Sequence, residues 1–156
     1  MPQLSLHSPV GDLTVFEEDG AIVVIEWGWG AEQSATPLLE KARAQLFAYF
    51  DGERRAFDLP LAPRGTDFQQ RVWRALTDIP YGETRSYAQI ANTLGSVARA
   101  VGQANGANPI PIIVPCHRVL AVGGIGGYSG GDGLPTKRLL LDLETRHFPT
   151  RAGALL

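Results

Sequence analysis

The stretch Asn108-Pro109-Ile110-Pro111-Ile112-Ile113-Val114-Pro115-Cys116-His117-Arg118 constrains this chain more than any other. Three prolines in the seven residues from Pro109 to Pro115 exclude a central strand, because each lacks the N–H that a sheet ladder requires. The apolar side chains between them call for burial. The segment is expected to be a rigid, extended, buried passage that delivers Cys116 to a fixed place. Prolines preorganise a reactive side chain more usefully than they bury an inert one.

Cys116 is the only cysteine in the 156 residues, so no internal disulfide can form, and with three histidines a multi-thiolate metal site is excluded. A lone cysteine is either a small buried apolar residue or a nucleophile. A thiol reacts as its thiolate and needs help to lose its proton near neutral pH. His117 and Arg118 place a base and a positive charge next to it. Adjacent side chains diverge in a strand or a helix, so His117 is expected to reach Cys116 through a water or an unusual turn. This argues against a papain-like arrangement, in which the base comes from a distant segment.

The rest of the chain reads as two parts. In the first, Leu13, Val15 and Ile22-Val23-Val24-Ile25 flank Glu17-Glu18-Asp19-Gly20, whose Asp-Gly step signals a hairpin. Pro37 opens a helix whose apolar positions, Leu38 to Phe50, recur at three and four residues until about Asp51. The turn-rich run Asp58 to Gly65 is the boundary, giving domains 1–62 and 63–156. In the second part, capping boxes at Thr66/Gln69 and Ser86/Gln89 start two helices, and Gly95 stops the latter. Ser96 is expected to cap a further helix, Val97 to Asn105, with Val97, Ala100, Val101 and Ala104 inward. Two short helices around a glycine turn read as a helix-turn-helix. The outer face of the last one carries Ala98, Arg99, Gly102 and Gln103, nearly bare backbone with one long cation, which suits close approach to another surface. Packing of that face within the protein is the alternative.

Residues 1–62 hold four basic against ten acidic side chains, net −6, whereas residues 63–156 hold ten against six, net +4. A mildly basic half suits local contact with phosphates better than long-range attraction. No apolar run is long enough to span a membrane and the first residues lack signal-peptide character, so an intracellular, cytoplasmic protein is expected.

Pro115-Cys116-His117-Arg118, with Asn108 upstream, Arg99-Ala100-Val101-Gly102 before it and Tyr128-Ser129-Gly130-Gly131 after it, resembles the O6-alkylguanine-DNA alkyltransferase family. The likeness covers about residues 63–146 closely, including Tyr81-Gly82-Glu83-Thr84 and Ser86-Tyr87, and the N-terminal part in outline. The resemblance implies an α/β N-terminal domain, a small antiparallel sheet plus helix, packed on a mostly α C-terminal domain with a helix-turn-helix. It implies single-turnover transfer of an alkyl group from guanine O6 in DNA to Cys116, with no cofactor and no metal. Cys116 would accept the alkyl group, His117 would draw its proton through water, and Glu144 would orient His117. Asn108 would hold the backbone, and Tyr87 would protonate the departing guanine. Tyr128, Ser129 and the backbone at Val119 would form the substrate pocket. Arg99, Ala98, Gly102 and Gln103 would enter the minor groove of double-stranded DNA around a flipped base. The turn Leu94 to Arg99 is shorter than is usual in that family. The partner is thus alkylated duplex DNA, engaged by a monomer away from any membrane. A non-catalytic lesion binder that recruits other repair factors is the rival reading, and a cysteine hydrolase a third.

Overall fold

The computed structural model describes residues 1–147, so the last nine residues of the expected second domain lie outside the described residues. Two compact units are present, the first Met1–Arg64 and the second beginning at Gly65.

In the first unit, β1 (Gln3–Leu6), β2 (Leu13–Glu18) and β3 (Ala21–Trp27) form an antiparallel sheet in that order. The β2–β3 turn has positive φ at both Asp19 (51°) and Gly20 (79°), the backbone that the Asp-Gly step favours because it matches strand twist. A bulge between Phe16 and Glu17 shifts the register of that pair. The strand β1 is not apparent from the hydrophobic pattern, because its four residues gain strand geometry by pairing with β2, Leu4 opposite Val15. Helix α1 (Pro37–Phe50) is capped by the Thr36 hydroxyl, which accepts from Leu39 N–H, and buries Leu39, Ala42, Leu46 and Tyr49.

The second unit is helical. Helix α2 (Asp67–Thr77) and helix α3 (Tyr87–Leu94) each start at a complete capping box, Thr66/Gln69 and Ser86/Gln89. The indole of Trp73 on α2 donates to the Ala104 carbonyl on α4 (Ala98–Gly106) at 2.9 Å. Strand β4 (Arg85–Ser86) pairs in parallel with β5 (Val119–Leu120), and α5 (Leu134–Arg146) closes the unit. Among the described residues, no helix is long and apolar enough to cross a membrane.

Two expectations about the helix pair need correction. Ser96 does not cap α4: the cap position is Val97, whose side chain offers no acceptor, and the helix starts one residue later. Val97 is also not inward but 65% exposed, and the buried face is Val101, Ala104 and Asn105. The cause lies at Gly95, which adopts the left-handed conformation (φ 66°), so that Ser96 N–H bonds back to the Ala91 carbonyl at 2.9 Å. That closure consumes Ser96 in ending α3 and turns Val97 outward.

Candidate functional site

The proline-rich passage is buried from Ile110 through Arg118, as its apolar content requires. It is not extended. Ile113 N–H bonds to the Pro111 carbonyl and Val114 N–H to the Ile110 carbonyl, both at 2.9 Å, so the chain coils tightly just before the cysteine. Ile112 sits at φ 74°, where a β-branched residue is strained. Asn108 holds this coil from outside, donating its Nδ2 to the Val114 carbonyl at 2.8 Å and accepting Ile110 N–H on Oδ1 at 3.0 Å. Cys116, His117 and Arg118 then form a single 3₁₀ turn, all three buried.

Behind that turn stands a closed ionic network. His117 Nε2 bonds to Glu144 Oε2 at 2.6 Å, while Arg118 donates from Nε to Oε1 at 2.8 Å and from Nη2 to Oε2 at 2.9 Å. A third guanidinium bond reaches the Ile79 carbonyl at 2.7 Å. Arg118 therefore does not direct its charge at the thiol, as its adjacency suggests, but at Glu144. Burial disfavours the ionised Glu144, yet His117 and Arg118 outweigh it and hold the carboxyl well below the usual carboxylate range. Burial pushes His117 down more than Glu144 pulls it up, so the ring is neutral at neutral pH. With Nε2–H given to the carboxylate, Nδ1 carries the lone pair, and among the described residues it is buried without a hydrogen-bond partner.

In front of the turn lies a cavity of about 330 Å³ lined by Tyr87, Gly102, Asn105, Gly106, Cys116, Gly127, Tyr128 and Ser129. Burial raises the Cys116 thiol, opposed by the Asn108 side chain, by the charge of Lys137 and by the Tyr128 hydroxyl. Burial likewise raises the Tyr87 and Tyr128 phenols, which keep their protons at neutral pH. A side chain at Gly126 (φ 75°) would be strained and crowded, since a Cβ there would come within 3.1 Å of the Tyr87 ring and 3.2 Å of the Ala121 nitrogen.

Of the residues picked out from the sequence, Cys116, Tyr87, Tyr128, Ser129 and Gly102 line this one cavity. His117 and Glu144 lie behind the cysteine, and Asn108 braces the passage. Val119 does not line the cavity: it is buried in β5, and its carbonyl accepts from Lys137. Ala98, Arg99 and Gln103 are exposed on α4, and Gly102 is half-buried, its Cα within ordinary contact distance of Tyr87 for any added methyl. Two residues escaped the sequence reading. Asn105 lines the cavity and donates toward the Cys116 carbonyl at 3.4 Å. Lys137 is wholly buried behind the cavity wall. Its spacing from Leu140 and Glu144 places all three on one face of α5, the signal that could have found it.

The profile of the 6-O-methylguanine DNA methyltransferase DNA-binding domain matches residues 67–146, and that of the ribonuclease-like domain of the same proteins matches residues 4–63. The chain belongs to the 6-O-methylguanine DNA methyltransferase family. It is 49% identical to a methylated-DNA–protein-cysteine methyltransferase of Mycolicibacterium paratuberculosis, covering 93% of each chain. It is 46% identical to the constitutive enzyme of that name from Bacillus subtilis, over 88% of this chain and 92% of that one. Among solved structures, Mycobacterium tuberculosis OGT in complex with DNA superposes with a TM-score of 0.84 at 47% identity, covering 94% of each chain. An O6-methylguanine DNA methyltransferase from Methanococcus jannaschii gives 0.68 at 27% identity, over 91% of this chain and 93% of that one.

Proposed function

We propose that this member of the methyltransferase family repairs DNA by moving an alkyl group from guanine O6 onto its own Cys116, each molecule acting once. The observation that carries the reading is the placement of one thiol between an open cavity and a buried His117–Glu144–Arg118 network. A protein that only bound the lesion would have no use for a base there.

The steps follow from the parts. Glu144 fixes the His117 ring so that Nδ1 accepts the Cys116 proton through a bridging water, leaving a thiolate. The thiolate attacks the saturated carbon on O6: a C–S bond forms, the C–O bond breaks, and the electron pair returns to the guanine. Tyr87, still protonated at neutral pH, supplies the proton that the departing base takes up. The Tyr128 hydroxyl, which lowers the thiol's pKa from across the cavity, steadies the anion. The product is a thioether, and no group beside it can cleave that bond. Turnover ends there.

A base inside a duplex hides its O6 carbon, so the nucleotide must leave the stack at a cost of a few kcal/mol. Ala98 and Gly102 allow α4 close to a minor groove only about 6 Å wide, and Arg99 fills the gap left by the extruded base. The protein does this as a monomer in the cytoplasm, with no cofactor. The test is Cys116→Ala on duplex DNA carrying O6-methylguanine. The variant is expected to bind the duplex and leave every lesion in place. Lesion removal by that variant would overturn the reading.

A further inference from the structure

Burial and the helix dipole both oppose a charge on Lys137. The side chain is 0% exposed, it lies in the first turn of α5 where the helix dipole repels cations, and among the described residues no carboxylate lies within ion-pair distance of it. Its ammonium donates instead to two backbone carbonyls, Val119 at 2.6 Å and Gly127 at 3.0 Å. Val119 directly follows the turn that holds Cys116, and Gly127 lines the cavity in front of it. A neutral donor could make both bonds without the penalty of a buried cation, so the charge itself needs a reason.

We infer that Lys137 is a positioning residue whose buried ammonium is the counter-charge for the Cys116 thiolate and whose two hydrogen bonds fasten the cavity wall to the cysteine turn. The inference rests on the reading of Cys116 as the nucleophile. Attraction between the two groups is reciprocal: Lys137 favours the thiolate, and the thiolate favours the ammonium. Burial brings Lys137 down to about 8 even with the attraction of Cys116 included, close enough to neutrality for its charge to depend on its partner. The other ionisable groups around the pair are Tyr87 from α3, His117 and Arg118 from the 3₁₀ turn, Tyr128 from the loop before α5, and Glu144 from α5 itself. The two tyrosines are neutral, His117 is neutral until it takes up the thiol proton, and Arg118 and Glu144 neutralise each other. Lys137 is the cation that stands beside the sulfur before and after that transfer. It keeps its proton throughout the reaction, while the thiol proton leaves through His117.

With one cysteine in the chain, the pH dependence of carbamidomethylation by iodoacetamide reads the Cys116 thiolate directly. Lys137→Met is expected to shift that profile up by about one unit, slowing the reaction about tenfold at neutral pH and recovering in alkali, and Lys137→Arg to restore it. A loss in Lys137→Met that is equal at all pH values would mean a merely structural role and overturn the inference. The unmutated protein supplies a second measurement that does not depend on a variant folding. The chain has two lysines, Lys41 and Lys137, so ¹³Cε-lysine labelling gives two resonances. Capping Cys116 with iodoacetamide is expected to move the Lys137 titration to lower pH and leave Lys41 unmoved. An unmoved Lys137 would overturn the proposal. Neither readout involves DNA, so failure of methyl transfer with a shifted Lys137 would refute the proposed function and leave this coupling standing.

Discussion

Replacing Glu144 with glutamine keeps the shape of the side chain and removes its charge. In the native protein both carboxylate oxygens are used, one shared by His117 and Arg118 and the other by Arg118. The amide can accept on one atom only, and its NH₂ faces donors. Arg118, buried and no longer neutralised, carries most of the cost. Breaking a buried pair by removing one partner costs about 3–5 kcal/mol. At about 2–4 °C per kcal/mol for a chain of this size, the melting temperature should fall by roughly 6–20 °C. The loss also has a pH signature. Glu144 titrates far below an unfolded carboxyl, so its contribution is complete above pH ~4.3 and is lost as pH falls toward its folded value. Urea unfolding should therefore show a gap between wild type and Glu144→Gln that is full at pH 7 and smaller by about 1–2 kcal/mol at pH 3. In the same variant the His117 ring loses its anchor, and methyl transfer from O6-methylguanine duplex should slow by roughly 10²-fold or more. A destabilisation below about 1 kcal/mol, or a gap unchanged between pH 7 and pH 3, would refute the account of this network.

Arg99→Ala, on the exposed face of α4, should slow transfer from duplex DNA by about tenfold or more through the lost support for the extruded base. Its reaction with iodoacetamide should match wild type, since Arg99 does not line the cavity that holds Cys116; equal losses in both would count against a role in DNA. Asn108→Ala orphans the Ile110 N–H and takes from the Val114 carbonyl one of its two donors, the Cys116 N–H remaining, and should cost about 1–3 kcal/mol in chemical denaturation with slower alkylation of Cys116. Gly126→Ala forces a methyl against Tyr87 from a left-handed backbone, and should cost about 1–3 kcal/mol with a larger proportional loss in methyl transfer than in thiol reactivity.

What the sequence discloses is mostly what its local chemistry decides. The capping boxes at Thr66/Gln69 and Ser86/Gln89 and the Asp19-Gly20 turn are each built within a few residues, and each forms as the local pattern predicts. Ser96 misleads because two local roles compete for it, and closure of α3 at Gly95 wins. The coil at Ile112 is invisible because a β-branched residue at positive φ contradicts its own propensity and is held there by surrounding structure. Strand β1 and the burial of Lys137 depend on partners distant in sequence: β2 for the first, the carbonyls of Val119 and Gly127 for the second. The direction taken by Arg118 belongs to the same class, since its partner Glu144 is 26 residues away.

Single use of a single sulfur is the heart of the mechanism, and intact-mass analysis with peptide mapping reads it directly. An excess of O6-methylguanine duplex is incubated with the protein until reaction stops. The expected outcome is one methyl per chain, found only on the peptide bearing Cys116, with an equal number of guanines restored. Repair exceeding one lesion per chain, or a methyl found elsewhere, would contradict it.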